Sequence, residues 1–361
     1  MARQSYFASF PAGMRFIVKD IVEKHIPDSV IRQLFDGAVL FETEKTYDRL
    51  NMYCFNAIFS LISYAEKKNP DDIESFIKRI VNSKLYSEII AHNTKKYSTF
   101  RVIISSENRL IAIDRGLKTQ LENLIASQSQ LTLNKHNPDA EFWVIYRSEG
   151  FCYFLKRLSK HTAYDKILNK GELHPETAFM MNWFADADKN DIVLDPFCGN
   201  GSIPLKRALH FPTQRIFAFD ADKAMINVVK KKIAEKKSLS AMSALTVKQL
   251  DIRNLDTELA PESVDKIVTD PPWGLYEDLK MGINEFYALA LSKMENVLKS
   301  NGIMVLLIGR QIDIESLIKP FPRLALLHNY DVLVSGKKAN VVKIKKHKPS
   351  GGGIAEAPKR L

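Results

Sequence analysis

From Asp191 onward, short apolar runs alternate with stretches of helical spacing, and no other feature limits the possible fold as tightly. "DIVLDPF", "RIFAFDAD", "ALTVKQLDI", "DKIVTDPP" and "GIMVLLIG" read as strands. "SIPLKRALHF", "KAMINVVKKKIAEKKSL" and "GINEFYALALSKMENVLKS" read as helices between them. Such alternation predicts an α/β domain with a doubly wound, mostly parallel sheet. "RLALLHNYDVLVSGKKANVVKIKKHK" predicts two further strands around Gly336-Lys337-Lys338, so the sheet ends in an antiparallel strand. "PSGGGIAEAPKRL" is expected to be a flexible tail.

The first half mixes strands and helices without a parallel rhythm. "SYFASF", "GAVLFET" and "TFRVIIS" are strand candidates, and "GMRFIVKDIVEKHI" and "LKTQLENLIASQSQ" are helical. "PDDIESFIKRIVNSKLYSEIIAHN" opens as a helix should, with Pro70 and acidic residues. "AEFWVIYRSEGFCYFLKRLS" reads as a β-hairpin turning at Ser148-Glu149-Gly150. "HTAYDKILNKGELHPETA" looks like a connection between the halves.

Composition narrows the class. With 361 residues, 45% of them hydrophobic and 26% charged, the chain has ample core for two or three domains. No apolar run approaches a membrane span, and "MARQSYFASFPAG" lacks the apolar stretch of a secretory signal. Cys54, Cys152 and Cys198 are too scattered for a metal site or a disulfide framework. The expectation is a cytoplasmic protein without membrane or metal. A net charge of +10 favours polyanionic partners without identifying them.

Chemistry enters at the strand ends. "VLDPFCGNGSIPL" places Gly199 and Gly201 between a strand and a helix, where backbone can approach a ligand. Pro204 stands where the dinucleotide fingerprint needs its third glycine, and no G-K-[ST] follows for a phosphate loop. Asp195, Asp220, Asp251 and Asp270 fall at four successive strand ends. One such aspartate is ordinarily a cap or turn former; four converge on one crevice. Asp220 can accept from both hydroxyls of a ribose, and Asp251 from an adenine amino group. A nucleoside cofactor without pyrophosphate fits, and S-adenosylmethionine has that shape.

"TDPPWG" then selects the acceptor. An amine conjugated to a ring is a poor nucleophile, because its lone pair is delocalised. The Asp270 carboxylate and the Pro271 carbonyl can accept from its N–H bonds and redirect that pair, while Pro271 and Pro272 stiffen the loop. Trp273 offers a face on which a base can stack; as a residue of an ordinary strand-ending turn, it would instead be core. Carbon methylation of cytosine would call for a nucleophilic cysteine, and Cys198 reads as packing. Ribose-oxygen methylation would call for a lysine, and this stretch has none.

With "LDPFCGNGS", "FDAD", "LDI" and "TDPPWG" in this order, about residues 170–345 resemble Rossmann-fold amino-methyltransferases. "STFRVIIS" and "LNKHNPDAEFWVIYRSEGFCYFLKRLSK" resemble a THUMP RNA-binding domain. Together they resemble the THUMP-containing tRNA guanosine 2-amino methyltransferases. The resemblance implies a ferredoxin-like domain over residues 1–60, THUMP over 61–165, a linker over 166–178, the methyltransferase domain over 179–348 and a tail over 349–361. It implies cofactor contacts from His174, Pro175 and Thr177 of "LHPETA", and from Asp195, Phe197, Gly199, Gly201, Asp220, Ala221, Asp251 and Ile252. Asp270, Pro271, Pro272 and Trp273 are the implied catalytic set. The implied cofactor is S-adenosyl-L-methionine and the implied partner tRNA, with the enzyme a monomer. Position 6 of the acceptor stem is the expected target, and position 10 or ribosomal RNA the alternative. Tryptophan at 273 also occurs in adenine amino-methyltransferases, so an adenine of DNA or RNA stays open. An RNA-binding protein that has lost catalysis is the reading from another class.

Overall fold

The computed structural model describes residues 3–50, 52–66, 72–83, 86, 90, 97–107, 109–159, 172–235, 242–275 and 281–348. The tail, and the linker up to residue 171, lie outside them. The chain forms two compact units, one of residues 1–9 and 22–165, the other of residues 10–21 and 166–361.

In the first unit the strands are β1 (Gln4–Ser9), β2 (Val30–Phe35), β3 (Ala38–Thr43), β4 (Ala57–Glu66), β5 (Thr99–Ser106), β6 (Arg109–Leu110), β7 (Thr132–Leu133), β8 (Ala140–Arg147) and β9 (Phe151–Arg157). They make one sheet in the order β2-β3-β1-β4-β9-β8-β5-β6, with β7 beside β5. Residue 60, the boundary implied between two domains, falls inside β4, which pairs with β1 on one side and β9 on the other. The hairpin read from the sequence is β8–β9.

Side chains on β9 alternate between two cores, as a pleated strand requires. Cys152 and Phe154 pack with Phe76 and Ile77 of helix α2 (Asp72–Val81) and Leu121 and Ile125 of helix α3 (Arg115–Ser129). Tyr153 and Leu155 face the other way, against Phe7, Leu40 and Phe59. Helix α1 (Arg15–His25) ends with Lys24 in its last turn, where a cation complements the helix dipole.

The second unit holds the alternating elements. Its strands are β10 (Ile192–Asp195), β11 (Arg215–Asp220), β12 (Leu245–Gln249), β13 (Val264–Thr269), β14 (Leu298–Gly309), β15 (Leu324–Val334) and β16 (Lys337–Lys346). Their order is β12-β11-β10-β13-β14-β16-β15. The five strands from β12 to β14 pair in parallel, and β16 runs antiparallel to both β14 and β15. The helices are α4 (Pro175–Phe184), α5 (Ser202–His210), α6 (Lys223–Ala234), α7 (Ile283–Val297) and α8 (Ile314–Ile318). This is the doubly wound sheet with an antiparallel ending that the sequence predicts. Strand order reverses between β10 and β13, the point where an open α/β sheet forms a ligand crevice.

Core burial fixes which way the elements face. Tyr287, Leu291, Met294 and Val297 of α7 pack on Leu194, Ile267, Met304 and Leu306 of the central strands. On the other face, Cys198 and Ala218 meet Ile226 and Val229 of α6. Arg207 of α5 is fully buried, bonded to Thr213 Oγ1 at 2.6 Å and paired with the buried Asp191 at 2.7 Å. No helix of the described residues is long and apolar enough to cross a membrane.

Removing one partner of a buried pair leaves the other charged and unsolvated. Arg207→Ala is therefore expected to cost about 3–5 kcal/mol and visibly lower the unfolding temperature. Thermal denaturation followed by circular dichroism checks this.

Candidate active site

Because β10 to β13 are parallel, the residues that leave them emerge on one edge of the sheet. Asp195 ends β10 and leads into Phe197, Cys198 and Gly199. Asp220 ends β11, and Asp270 follows Thr269 at the end of β13. The crevice therefore forms where two loops leave neighbouring strands.

One hydrogen bond ties these loops together. Thr269 Oγ1 donates to Asp195 Oδ1 at 2.5 Å, across the point where strand order reverses. The other Asp195 oxygen is buried and has no hydrogen-bond partner among the described residues. Burial pushes the Asp195 carboxyl up to about 8, against the bonds from Thr269 and the Phe197 amide. Asp220 and Asp270 add like-charge repulsion, so the three carboxylates share one field.

The glycine loop is built onto β11. Cys198 N donates to Phe219 O at 2.8 Å and Gly199 N to Asp220 Oδ2 at 2.8 Å. Asp220 Oδ1 accepts from Asp222 N, also at 2.8 Å, so backbone amides fix the plane of the carboxylate. Burial raises the Asp220 pKa, and these amide bonds oppose the rise. Gly199 and Gly201 both have positive φ, +49° and +87°. The two differ in their surroundings. A Cβ at Gly199 would meet nothing within 4 Å, whereas one at Gly201 would press on Val229 and Leu205 at 3.0–3.2 Å. The first glycine thus faces open space and the second allows a helix to pack.

These residues fit the cofactor expected from the sequence. An orphaned carboxylate oxygen and two further acids suit a ligand bearing positive charge and N–H donors, and the bare Gly199 backbone admits it closely.

The remaining expected contacts are placed less uniformly. Asp251 caps the 3₁₀ turn Ile252–Thr257 and binds Arg253 through both oxygens, at 2.9 and 2.6 Å. The Arg253 bonds hold its pKa low, so contact with an adenine amine would have to be shared with that guanidinium. Ala221 is exposed beside Asp220, and Ile252 is buried. His174 is the residue before α4 and makes no side-chain cap, Pro175 opens the helix, and Thr177 is buried within it. Phe197 stacks obliquely on Phe286 at 5.7 Å. Cys198 is buried, and its thiol is pushed far up by that burial, which leaves no thiolate for nucleophilic attack.

At the second loop, Pro271 is buried and Trp273 half-buried. Trp273 Nε1 donates to Asp270 Oδ1 at 2.9 Å and to Leu307 O at 3.3 Å. Tyr287 Oη donates to Pro272 O at 3.0 Å, and Gln311 Nε2 to Trp273 O at 2.6 Å. Sequence reading missed Thr269, Tyr287 and Gln311. Tyr287 sits in an apolar helical stripe that reads as core, and Gln311 lies 38 residues from the carbonyl it binds.

Comparison with known proteins gives the family. Residues 163–340 match the model of the UPF0020 family (RMKL-like, methyltransferase domain). The tRNA (guanine(10)-N2)-dimethyltransferase of Methanocaldococcus jannaschii is 25% identical over 272 residues, 69% of this chain and 74% of that protein. A probable enzyme of the same name from Methanothermococcus thermolithotrophicus is 30% identical over 131 residues, 35% of this chain and 75% of that protein. The chain belongs to the THUMP-containing tRNA guanine-N2-methyltransferase family. Another relative, the tRNA (guanine(6)-N2)-methyltransferase of Thermus thermophilus, is 33% identical over 125 residues, 34% of this chain and 36% of that protein. The crystal structure of TrmN from Thermus thermophilus superposes with a TM-score of 0.75 at 19% identity, covering 96% of this chain and all of that one. This methyltransferase thus shares the fold of that protein along nearly its whole length.

The two glycines separate ligand approach from packing. Gly199→Ala is expected to cost about 1–2 kcal/mol for its left-handed backbone and to abolish measurable S-adenosylhomocysteine binding. Gly201→Ala is expected to lower the unfolding temperature more, through Val229. Calorimetric titration and thermal denaturation of both variants check this.

Proposed function

We propose that this enzyme transfers a methyl group from S-adenosylmethionine to the exocyclic 2-amino group of a guanosine in tRNA. The observation that carries this reading is the adjacency of the two loops. Thr269 binds Asp195 beside the glycine loop, and Asp270 is the next residue, so an amine held at Asp270 lies beside anything bound over Gly199. The family membership supports the same chemistry.

In this reading the first loop binds and the second aims. Gly199 admits the cofactor, Asp220 accepts from its ribose hydroxyls, and Asp195 with its neighbouring acids favours its positive charge. The cofactor supplies an electrophilic methyl group on a sulfonium. Asp270 and the Pro271 carbonyl accept from the two N–H bonds of the guanine amine, which turns its lone pair toward that methyl. The methylated amine is a strong acid until it loses a proton, so Asp270 needs no raised pKa to release it. The Trp273 ring is half-buried and lies against the base. The net charge of +10 over the whole chain favours a polyanion such as tRNA, and the first unit contributes to holding it.

Position 6 is the proposed target, supported by the Thermus relative named for that position at 33% identity. Position 10 is the second reading, because the relative from Methanocaldococcus, matched over 69% of this chain, carries that name.

Asp270→Ala is expected to lower turnover at least a hundredfold while cofactor and tRNA affinities change little, since its bonds act on the transition state. Mass spectrometry of nucleosides and mapped fragments, from unmodified tRNA incubated with enzyme and cofactor, reads both product and position. The expected product is N2-methylguanosine at position 6. A methylated adenosine, or no methylated base, would refute the reading.

A further inference from the structure

Pro271 and Pro272 have no backbone N–H, so the aiming loop cannot be pinned through amides at these two positions. Side chains hold it instead, through donors from other elements to its carbonyls and through the indole N–H of Trp273. Tyr287 reaches Pro272 O from α7, Gln311 reaches Trp273 O from the turn after β14, and Trp273 ties Asp270 to Leu307 O of β14. Tyr287 is 1% exposed, so its hydroxyl has no ready exchange with solvent. Its ring meets Phe286 edge-on at 5.9 Å, and Phe286 meets Phe197 of the glycine loop. A continuous packed path therefore runs from one loop to the other.

We propose that Tyr287 and Gln311 are positioning residues for methyl transfer, and that Trp273 acts with them through its indole N–H, not through its ring face alone. Together they set where the Asp270 carboxylate and the Pro271 carbonyl point. Tyr287 also couples that aim to the glycine loop through Phe286. The proposal rests on the amine-transfer reading above. A misplacement of about 1 Å at a reacting group can cost a hundredfold in rate, so losing one of these donors should appear in kcat before it appears in binding.

The test compares full-length wild type with Tyr287→Phe, Gln311→Leu and Trp273→Phe, using unmodified tRNA and S-adenosylmethionine. Tyr287→Phe and Trp273→Phe are expected to lower kcat at least tenfold, and Gln311→Leu several-fold. KM for both substrates should stay within about twofold and unfolding temperature within a few degrees. A second readout is independent of turnover. In protein labelled with ¹⁵N at the indole, the Trp273 resonance, identified by its loss in Trp273→Phe, should exchange slowly in wild type and faster in Tyr287→Phe. A kcat within twofold of wild type in Tyr287→Phe would overturn the proposal. So would a fall in kcat that merely tracks lost stability while indole exchange is unchanged. If wild type yields no methylated base amine, the functional reading fails by itself, and the indole exchange still decides whether Tyr287 orders the loop.

Discussion

The hydrogen bond from Thr269 to Asp195 is the point on which the site depends. It joins the ends of β10 and β13, the two strands between which the sheet reverses its order. Both side chains are buried, so the bond forms where water cannot compete and where leaving it unmade would be costly. Each partner is also the last residue before a functional loop. Fixing one pair of side chains therefore sets the glycine loop and the Asp270–Trp273 loop side by side. The proposed transfer starts from this adjacency, held rigid by strands whose other residues are core.

Charge is divided between surface and crevice. The chain as a whole carries +10, whereas Asp220 and Asp270 bring negative charge to Asp195 within one crevice. A basic exterior attracts a polyanion, and an acidic interior favours a cation. Burial is the main cause of the raised Asp195 pKa, and the neighbouring Asp220 and Asp270 add to it. This division suits an enzyme proposed to bring together a nucleic acid and a sulfonium.

The architecture was legible because burial on both faces of a parallel sheet writes itself as repeated apolar runs between amphipathic helices. Elements with weaker patterns were not. β2 (Val30–Phe35) places Arg32 and Gln33 mid-strand on a sheet edge and gives no apolar alternation. β4 lies in an apolar-rich stretch without strict strand alternation. At the site, strand-end acids and glycines were legible from type and spacing, but their partners were not. Asp251 is equivalent to its fellows in sequence, and only the fold brings Arg253 onto both its oxygens. Trp273 offers only a ring in sequence, because a sequence does not show where an indole N–H points. Tyr287 and Gln311 come from other elements, and only tertiary packing brings them to the loop.

In the proposed mechanism this crevice holds a nucleoside cofactor by its ribose, with Asp220 accepting from the diol. Calorimetric titration of S-adenosylhomocysteine and its 2′-deoxyribose analogue into wild type and Asp220→Ala tests it directly. Wild type is expected to bind the intact ligand at least tenfold more tightly than the deoxy analogue, and Asp220→Ala to bind both with the same, weaker affinity. Equal affinities of wild type for the two ligands, or an unchanged preference in Asp220→Ala, would contradict it.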